Sequence, residues 1–373
     1  MKKLFFLIPT LDGGGAEKVL SDLVNNLDKD KYEITVKTLL SGGVNEKRLK
    51  ADVNYSSFIN CKSWILRKII FYLFSFVLPA KLTYRMIVKG KYDIEVSYLE
   101  GVTTKIIAAS NSNTSEKIAF VHTDLSRNYL LTKVYKTYDD CFKSYQSYNK
   151  IVFVSNKARI GFEEAIGHLT SSIVLHNVLD EKAIIELSKE ELGEGRNENF
   201  LFVSVGRLCY QKGYDRLIEA TTKLNAEHFN FEIWIIGEGP DRQNLENLLR
   251  SYKIHNIKLL GYNENPYKYI RKSDMFICSS RAEGYSTVVS EAIILKNPIL
   301  TTDCAGMDEI LESGKYGLIV ENSADGIYYG MKKILENPDE YKKYLLLAQE
   351  RSNFFSMEQN ILGYEKLFKN GSI

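Results

Sequence analysis

Short apolar runs alternate with amphipathic segments along the second half of this 373-residue chain. The runs have the length and composition of buried strands, and the amphipathic segments have the period of helices. No two runs are joined by the turns typical of a β-hairpin, so a parallel sheet with helices between its strands is expected. After a first run at 200–207, the predicted strands are Phe231–Ile236, Ile257–Leu260, Asp274–Cys278, Pro298–Thr301 and Leu318–Val320, and the helices begin near Tyr214, Asp241, Pro266, Ser286 and Ala324.

The first half opens in the same way. The run Lys3–Ile8 is followed by three glycines and the amphipathic helix Lys18–Leu27, the opening of a Rossmann-like unit. The spacing Gly-x-Gly-x-x-Gly is absent, which argues against a dinucleotide dehydrogenase. The chain is too long for one ordinary core. We therefore predict an α/β protein with two Rossmann-like domains whose parallel sheets face a central cleft. The predicted parts are a first domain 1–178, a charged linker 179–198, a second domain 199–350 and a final helix 351–373 that crosses back to the first domain.

Charge and cysteine content indicate what the protein binds and in which compartment it is expected. Residues 1–150 carry 23 Lys/Arg against 15 Asp/Glu, and the remainder carries 26 against 32, which favours an anionic ligand or surface beside the first half. The five cysteines are widely spaced, so neither a disulfide framework nor a zinc site is indicated. The apolar run after Met1 is too short for a signal peptide, so a cytoplasmic protein is expected.

One segment of the first half is basic, aromatic and free of acidic residues. Residues 62–91 contain seven basic side chains, and their uncharged core, 69–80, is shorter than the ~20 residues that span a bilayer. This composition is typical of a helix lying in the plane of a membrane surface. A buried helix pair with its lysines in solvent is the alternative.

The stretch 279–295 predicts an anion site. It follows a buried strand, and a helix begins after Ser286 or Thr287 as N-cap. The amides at that helix start lack backbone acceptors, which suits a phosphate or diphosphate. Glu291 can reach back to accept from a ribose diol, and Glu283 in the loop can contact a second polyol. Alternatively, both carboxylates are solvated.

Two cations are predicted opposite that helix start. Arg207 follows a strand and Lys212 lies five residues later, so both are expected at the sheet edge that receives Glu283. Together they would neutralise a diphosphate leaving group without a metal ion. No Asp-x-Asp diphosphate motif follows a strand. Gly237-Glu238-Gly239-Pro240 indicates a turn after a strand, whose glycines either permit close packing or admit a base. His122 lies at the carboxyl end of another strand, where ligands bind in α/β sheets.

In this order, the motifs Gly-Gly-Ala-Glu, His122-Thr-Asp, Gly-Arg-…-Lys-Gly, Gly-Glu-Gly-Pro and the pair Glu283 and Glu291 resemble the retaining glycosyltransferases of family 4, which have the GT-B fold. The resemblance implies that Arg207 and Lys212 hold the donor diphosphate, Glu291 the ribose and Glu283 the transferred sugar. It implies that Gly14 and Gly15 lie near the diphosphate and His122 beside the reacting sugar. The further donor-binding residues would be Gly284, Tyr285, Ser286, Thr287 and Val288. Where many members have a proline after the first Glu, this chain has Tyr285-Ser286-Thr287, which leaves the choice of sugar open.

The expected function is metal-independent transfer of a sugar, with retention, from a nucleotide-diphosphate sugar to a lipid-linked saccharide. Capsule, exopolysaccharide or cell-wall synthesis at the inner face of the cell membrane, through residues 62–91, is the expected setting. No nucleic-acid partner and no cofactor are expected. A nucleotide-sugar epimerase and a non-catalytic partner subunit of a glycosyltransferase are the alternatives.

Overall fold

The chain divides into two compact units, each with its own parallel sheet. The computed structural model describes residues 1–61, 63–125, 134–169, 171–193 and 195–369. Unit 1 comprises Met1–Leu179 and the described residues from Glu358 onward, and unit 2 comprises Asp180–Met357. Of the predicted segments, Lys62 at the start of the basic aromatic stretch, Glu194 in the linker and residues 370–373 lie outside the described residues.

Unit 1 is built on seven parallel strands in the order β3-β2-β1-β4-β5-β6-β7. Its inner strands are mostly buried, as expected when helices cover both faces of a sheet. The strands are β1 (Lys2–Ile8), β2 (Tyr32–Leu40), β3 (Asn54–Ile59), β4 (Ile94–Ser97), β5 (Glu116–Val121), β6 (Lys150–Phe153) and β7 (Ser172–Val174). The helices are α1 (Gly15–Asn26), α2 (Trp64–Tyr72), α3 (Ala80–Ile87), α4 (Val102–Ala108), α5 (Tyr138–Gln146) and α6 (Asn156–Ala165).

Unit 2 holds six parallel strands in the order β10-β9-β8-β11-β12-β13. The strands are β8 (Phe200–Val205), β9 (Phe231–Ile236), β10 (Ile257–Gly261), β11 (Met275–Cys278), β12 (Ile299–Thr302) and β13 (Leu318–Val320). The helices are α7 (Glu181–Leu187), α8 (Tyr214–Ala226), α9 (Arg242–Ser251), α10 (Tyr267–Lys272), α11 (Thr287–Ile294), α12 (Met307–Ile310), α13 (Ala324–Glu336) and α14 (Pro338–Ser352). Two Rossmann-like domains with parallel sheets, as predicted, are thus confirmed.

The last helix, α15 (Met357–Lys369), packs on the sheet of unit 1. The ring of Phe368 meets that of Phe6 edge to face, with centroids 5.9 Å apart. Lys2 Nζ donates to the carbonyl oxygens of Phe368 and Lys369 at 3.1 and 3.0 Å, and the Tyr364 hydroxyl donates to the carbonyl of His176 at 3.0 Å. The prediction that the final helix returns to the first domain is confirmed.

The stretch predicted as a linker, 179–198, begins with a helix that belongs to unit 2. Asp180 caps α7 by accepting from the amide of Ala183 at 3.0 Å, and Asn265 donates to the carbonyl of Leu187 at 2.8 Å. Arg351, at the start of the predicted final helix, lies instead in α14, where its buried guanidinium donates to the carbonyl of Ile310 at 2.8 Å. Unit 2 therefore extends beyond residues 199–350 at both ends.

In both sheets the strand order reverses at one point. In unit 1, β1 lies between β2 and β4, and in unit 2, β8 lies between β9 and β11. The loops that follow the two central neighbours diverge to opposite faces, and ligands of open α/β sheets bind in the crevice between them. A ligand is therefore expected at the loops after β1 and β4 in unit 1 and at those after β8 and β11 in unit 2.

Candidate functional site

In unit 2, the loops after β8 and β11 meet at the carboxyl edge of the sheet. Gly213, which precedes α8, has φ +66°, and a Cβ atom there would lie 2.2 Å from the carbonyl oxygen of Ser279. Only glycine allows this approach. The Ser279 hydroxyl in turn donates to the carbonyl of Lys212 at 2.8 Å. The backbones of the two loops are thereby held together.

Lys212 and Glu283 form an ion pair between these loops. Lys212 Nζ lies 2.7 Å from Glu283 Oε1, and the side chains are 19% and 10% exposed. The Ser280 hydroxyl donates to the same oxygen at 2.6 Å. Burial by itself lowers the pKa of Lys212, but the attraction of the Glu283 carboxylate more than offsets it, so that pKa is raised above its ordinary value. Lys212 is therefore a fixed positive charge at this edge of the sheet.

Arg281 adds a second set of contacts between the same loops. Its guanidinium binds the two carboxylate oxygens of Asp215 at 2.8 and 2.6 Å and lies 4.0 Å from the ring centroid of Tyr210. The Gln211 side chain donates to the carbonyl of Ala282 at 2.8 Å. A two-pronged contact of this kind fixes orientation as well as distance. Our sequence reasoning missed Arg281 and Asp215, although Arg281 lies inside the stretch that predicted the anion site.

The start of α11 presents unpaired donors beside this pair. Of the two predicted N-cap residues, Ser286 is the N-cap, but its side chain makes no capping bond. Its hydroxyl oxygen is buried and has no hydrogen-bond partner among the described residues. The amides of Thr287, Val288 and Val289 belong to the first turn of the helix and so lack acceptors within it. An anion placed here would meet helix amides and a hydroxyl.

Glu291 lies one turn inside α11 and is buried, with only 3% of the residue exposed. The alternative that it faces solvent is therefore wrong. The hydroxyl of Tyr267, from α10, lies 3.5 Å from Glu291 Oε1. Sequence reasoning missed Tyr267, because nothing in the apolar pattern of its helix marks this hydroxyl.

Arg207 lies in the same loop as Lys212 but is placed differently. It follows Gly206, whose amide donates to the carbonyl of Ile236 at 3.0 Å, and its side chain is exposed. It forms no ion pair with the residues that the structure describes. The turn at 237–240 packs closely on this loop, since a Cβ atom at Gly237 would lie 2.0 Å from the carbonyl oxygen of Gly206. The guanidinium is thus available to a ligand at this edge.

In unit 1, His122 lies at the carboxyl end of β5 with only 8% of the residue exposed. Its ring lies 4.9 Å from that of Tyr98 and 6.0 Å from that of Phe120, centroid to centroid. Burial lowers the pKa of His122 to about 4, so the ring is neutral at pH 7. Its Nε2 atom is buried without a hydrogen-bond partner in the described parts of the chain. A neutral imidazole with one unused nitrogen can donate to or accept from a ligand hydroxyl.

Glu100, in the loop after β4, holds the backbone beside His122. Its Oε1 atom accepts from the amides of His122 and Thr123, at 2.6 and 2.8 Å, and from the Thr123 hydroxyl at 2.9 Å. Burial raises the pKa of Glu100. Sequence reasoning missed this residue, because its partners are mostly backbone groups, which no side-chain motif reveals.

The glycines after β1 are exposed at the start of α1. Gly14 is the N-cap of this helix, and Gly15 is its first residue. Just before them, the side chain of Asn45 donates to the carbonyl of Asp12, and the amide of Asn45 donates to that of Leu11 at 2.9 Å. On the other side, Arg67 Nη2 lies 3.2 Å from each carboxylate oxygen of Asp12. The loop is therefore held from two sides.

The basic aromatic stretch forms an exposed helical surface, which we call the α2–α3 surface (residues 63–91). Only Phe74, Ser75, Thr83, Ile87 and Val88 of it are buried. The buried helix pair of the alternative prediction is therefore not observed. Its exposed apolar side chains are Trp64, Ile65, Leu66, Ile69, Tyr72, Leu73, Phe76, Val77, Leu82 and Met86, and its exposed basic ones are Lys68, Lys81, Arg85, Lys89 and Lys91. Within the described chain, no helix combines the length and apolarity needed to traverse a bilayer.

The predicted site residues thus fall into two groups. Unit 2 brings together Lys212, Glu283 and the start of α11, with Glu291 one turn further on and Arg207 at the end of β8. Unit 1 carries His122 and the glycine loop, which follow different strands of one sheet. Each group lies at the carboxyl ends of its strands.

Part of the chain matches a known protein family, and the whole chain resembles solved structures. Residues 185–349 match the family model for glycosyl transferases group 1. An uncharacterized glycosyltransferase of Haemophilus influenzae is 24% identical over 97% of both chains. The N-acetylgalactosamine-N,N'-diacetylbacillosaminyl-diphospho-undecaprenol 4-alpha-N-acetylgalactosaminyltransferase of Campylobacter jejuni is 30% identical over 49% of both chains. The chain spans about half the length of several curated relatives that it matches.

Among solved structures, Anabaena HepE in complex with UDP and glucose has the same two-domain fold, with a TM-score of 0.78, 16% identity, and coverage of 99% of this chain and 100% of that one. This likeness extends over both units, whereas the family model matches unit 2. The loops that carry Lys212, Glu283 and Glu291 all lie within the matched residues. Residues 185–349 therefore form a glycosyl transferases group 1 domain, within a GT-B fold whose relatives are glycosyltransferases.

Proposed function

We propose that this protein transfers a sugar, with retention, from a nucleotide-diphosphate sugar to a hydroxyl of an acceptor. The observation that carries the proposal is the Lys212–Glu283 pair at the start of α11, where a mostly buried cation and unpaired helix amides favour a phosphate anion. The group 1 domain supports the same class of reaction. HepE, whose fold this chain shares, binds UDP and glucose, which supports a nucleotide-sugar donor.

In the proposed reaction, the bond between the anomeric carbon and the diphosphate oxygen breaks first. Negative charge develops on the diphosphate, where Arg207, Lys212 and the amides of Thr287 and Val288 stabilise it. The acceptor hydroxyl attacks from the face that the diphosphate leaves, and a departing phosphate oxygen takes its proton. Charge and atoms balance without a protein nucleophile, and the two cations make a metal ion unnecessary.

The remaining residues would bind the parts of the donor. Glu291, buried one turn below the helix start, would accept from the ribose hydroxyls, and Glu283 would contact the transferred sugar with Gly284 and Tyr285 around it. Ser286 would donate its unpartnered hydroxyl to the diphosphate. In unit 1, taken by itself, we assign Gly14 and Gly15 to phosphate binding and the neutral ring of His122 to a sugar hydroxyl.

We further propose that the acceptor is lipid-linked and that the protein binds peripherally to the inner face of the cell membrane, in capsule, exopolysaccharide or cell-wall synthesis. The α2–α3 surface supports this setting, because exposed aromatic and basic side chains without acidic ones suit an anionic bilayer. The name of the Campylobacter relative includes a diphospho-undecaprenol acceptor.

Thermal-shift screening with UDP-, GDP-, dTDP- and ADP-sugars tests the donor site. One class should stabilise the folded protein by about 2.7 kcal/mol at a hundredfold excess over Kd. The Lys212→Ala and Arg207→Ala variants should lose most of that shift, while Arg250→Ala, which removes an exposed cation of α9, should keep it. Absence of a shift with every donor would refute the proposal. If the bound donor is epimerised in the absence of an acceptor, the protein is an epimerase and not a transferase.

Sedimentation with vesicles tests the membrane setting separately. The protein should pellet with vesicles that contain phosphatidylglycerol, and high salt should release it, because counterions screen the basic side chains. Failure to pellet at any salt concentration would remove the membrane setting and leave the donor site standing.

A further inference from the structure

Helix α2 is the part of the α2–α3 surface that is least anchored in unit 1. None of its residues is buried, whereas the following segment inserts Phe74 and Ser75 and α3 inserts Thr83 and Ile87. Trp64, the first residue of α2, is 65% exposed. A helix with so little burial opens easily, and its position depends on what else it touches.

Arg67 is the residue of α2 that turns toward the glycine loop. Its side chain is 23% exposed, half the value for Asp12, which is 46% exposed. One guanidinium nitrogen, Nη2, lies 3.2 Å from both Asp12 oxygens. Lys68, the next residue, does not share this contact: its ammonium lies over the ring of Trp64, 4.4 Å from the centroid. Neighbouring cations of one helix thus have different partners.

Asp12 in turn fixes the start of the glycine loop. Its carbonyl accepts from the Asn45 side chain, and Gly13, Gly14 and Gly15 follow directly. Glycines have the widest conformational freedom of all residues, so a segment of three depends on its flanks for order. Asp12 is the residue that precedes the three glycines, and its contact with Arg67 ties it to the exposed helix α2.

We propose that Arg67 is a positioning residue through which an anionic bilayer bound to the α2–α3 surface orders the glycine loop. The inference rests on the proposed function for the identity of the bound surface. In water, a partly exposed ion pair contributes little, because solvent screens it and its side chains lose entropy. A bilayer that covers α2 reduces both effects. It restricts the motion of the helix, and it excludes water from the ion pair, which strengthens the attraction. Lipid binding is thereby coupled to the loop beside α1.

Hydrogen exchange on the full-length protein tests this coupling, with vesicles of phosphatidylcholine and phosphatidylglycerol as the probe. In the native protein, saturating vesicles should slow amide exchange within residues 11–20 by about fivefold, the factor that one strengthened ion pair supplies. Arg67→Ala should abolish that slowing while the protein still pellets with the vesicles. Asp12→Asn should behave in the same way.

Lys68→Ala is the matched control, because it removes one cation from the same helix without touching Asp12. It should weaken vesicle binding about as much as Arg67→Ala, yet keep the slowed exchange at saturation. Equal slowing in Arg67→Ala and in the native protein would overturn the coupling, as would bound vesicles that leave exchange within residues 11–20 unchanged. Either result leaves the donor site intact, since the thermal shift with nucleotide sugars requires no vesicle.

Discussion

Lys212 Nζ lies 2.7 Å from Glu283 Oε1, and this contact joins residues 71 positions apart in the chain. The two loops that it joins follow β8 and β11, the neighbours between which the strand order of unit 2 reverses. We therefore expect two effects that experiment can separate, one on stability and one on the proposed binding of a diphosphate.

Lys212→Ala should lower both stability and turnover. It leaves the Glu283 carboxylate nearly buried without its partner, at a cost of up to about 3–5 kcal/mol in the free energy of unfolding. It also removes the charge that we propose stabilises the leaving group, so turnover should fall on the order of 10²–10³-fold. Urea unfolding and sugar-transfer rates measure the two effects. Lys212→Ala combined with Glu283→Gln should recover much of the stability but none of the turnover, and an active double variant would contradict the assignment.

Arg207→Ala should affect turnover alone. Its side chain is exposed, so the free energy of unfolding should change by no more than about 0.5 kcal/mol. Turnover should nonetheless fall on the order of 10²–10³-fold if the guanidinium stabilises the departing diphosphate. Arg250→Ala serves as the exposed control, with both quantities unchanged. If the Arg207 variant keeps native turnover, Arg207 does not stabilise the diphosphate, and Lys212 alone of the two cations keeps that role.

His122 should make the folded protein less stable in mild acid. Its pKa is about 4 when folded and ordinarily about 6.5, so the unfolded chain binds the proton more readily between these values. The neutral ring therefore contributes up to about 3 kcal/mol to the free energy of unfolding. This contribution is fully present above about pH 6.5 and is lost as the pH falls toward 4. Urea titrations at several pH values should show this loss in the native protein and not in His122→Phe. Parallel pH profiles for the two proteins would mean that the pKa of His122 is not lowered in the folded state.

Glu291→Ala should weaken the binding of a nucleoside diphosphate more than that of inorganic diphosphate. The carboxylate is expected to accept from ribose, and the loss of a charged hydrogen bond corresponds to roughly 10–100-fold in Kd. Inorganic diphosphate lacks the ribose and should bind almost equally to both proteins. Calorimetric titration measures both ligands. Tyr267→Phe, which removes only the hydroxyl 3.5 Å from Glu291, should have a smaller effect in the same direction.

Gly237→Ala should disrupt the loop that carries Arg207. A Cβ atom at this position would lie 2.0 Å from the carbonyl oxygen of Gly206, and the backbone has φ +151°, which other residues rarely adopt. We expect a loss of at least about 2 kcal/mol in the free energy of unfolding. Gly193→Ala is the control, because a Cβ atom there meets nothing within 4 Å, and its unfolding midpoint should remain native.

The sequence predicted most strands because their apolar runs are continuous, as in β1 and β11, which helices cover on both faces. It did not reveal β3, an edge strand in which Asn54, Ser56 and Ser57 interrupt the pattern and no residue is fully buried. Helix α7 was hidden in a Glu-rich stretch, since Ile184 is its one buried residue.

For the site, the order of motifs indicated which loops matter, but not which atoms pair within them. The bond between Lys212 and Glu283 forms because β8 and β11 are neighbours in the sheet. The spacing of residues in the sequence does not reveal that these two strands are adjacent. Glu100 shows the same limit more sharply: it binds two backbone amides, and these donors exist at nearly every position of a chain.

The placement of α15 on unit 1 has a consequence for the order of synthesis. Unit 1 takes its last helix from residues that a ribosome adds only after every strand of unit 2 has been made. Until then, Phe6 lacks the ring of Phe368, which covers it in the folded protein. Part of the apolar surface of unit 1 therefore stays exposed while almost two hundred further residues are translated. A chaperone that binds exposed apolar surface could bind the nascent chain during this time.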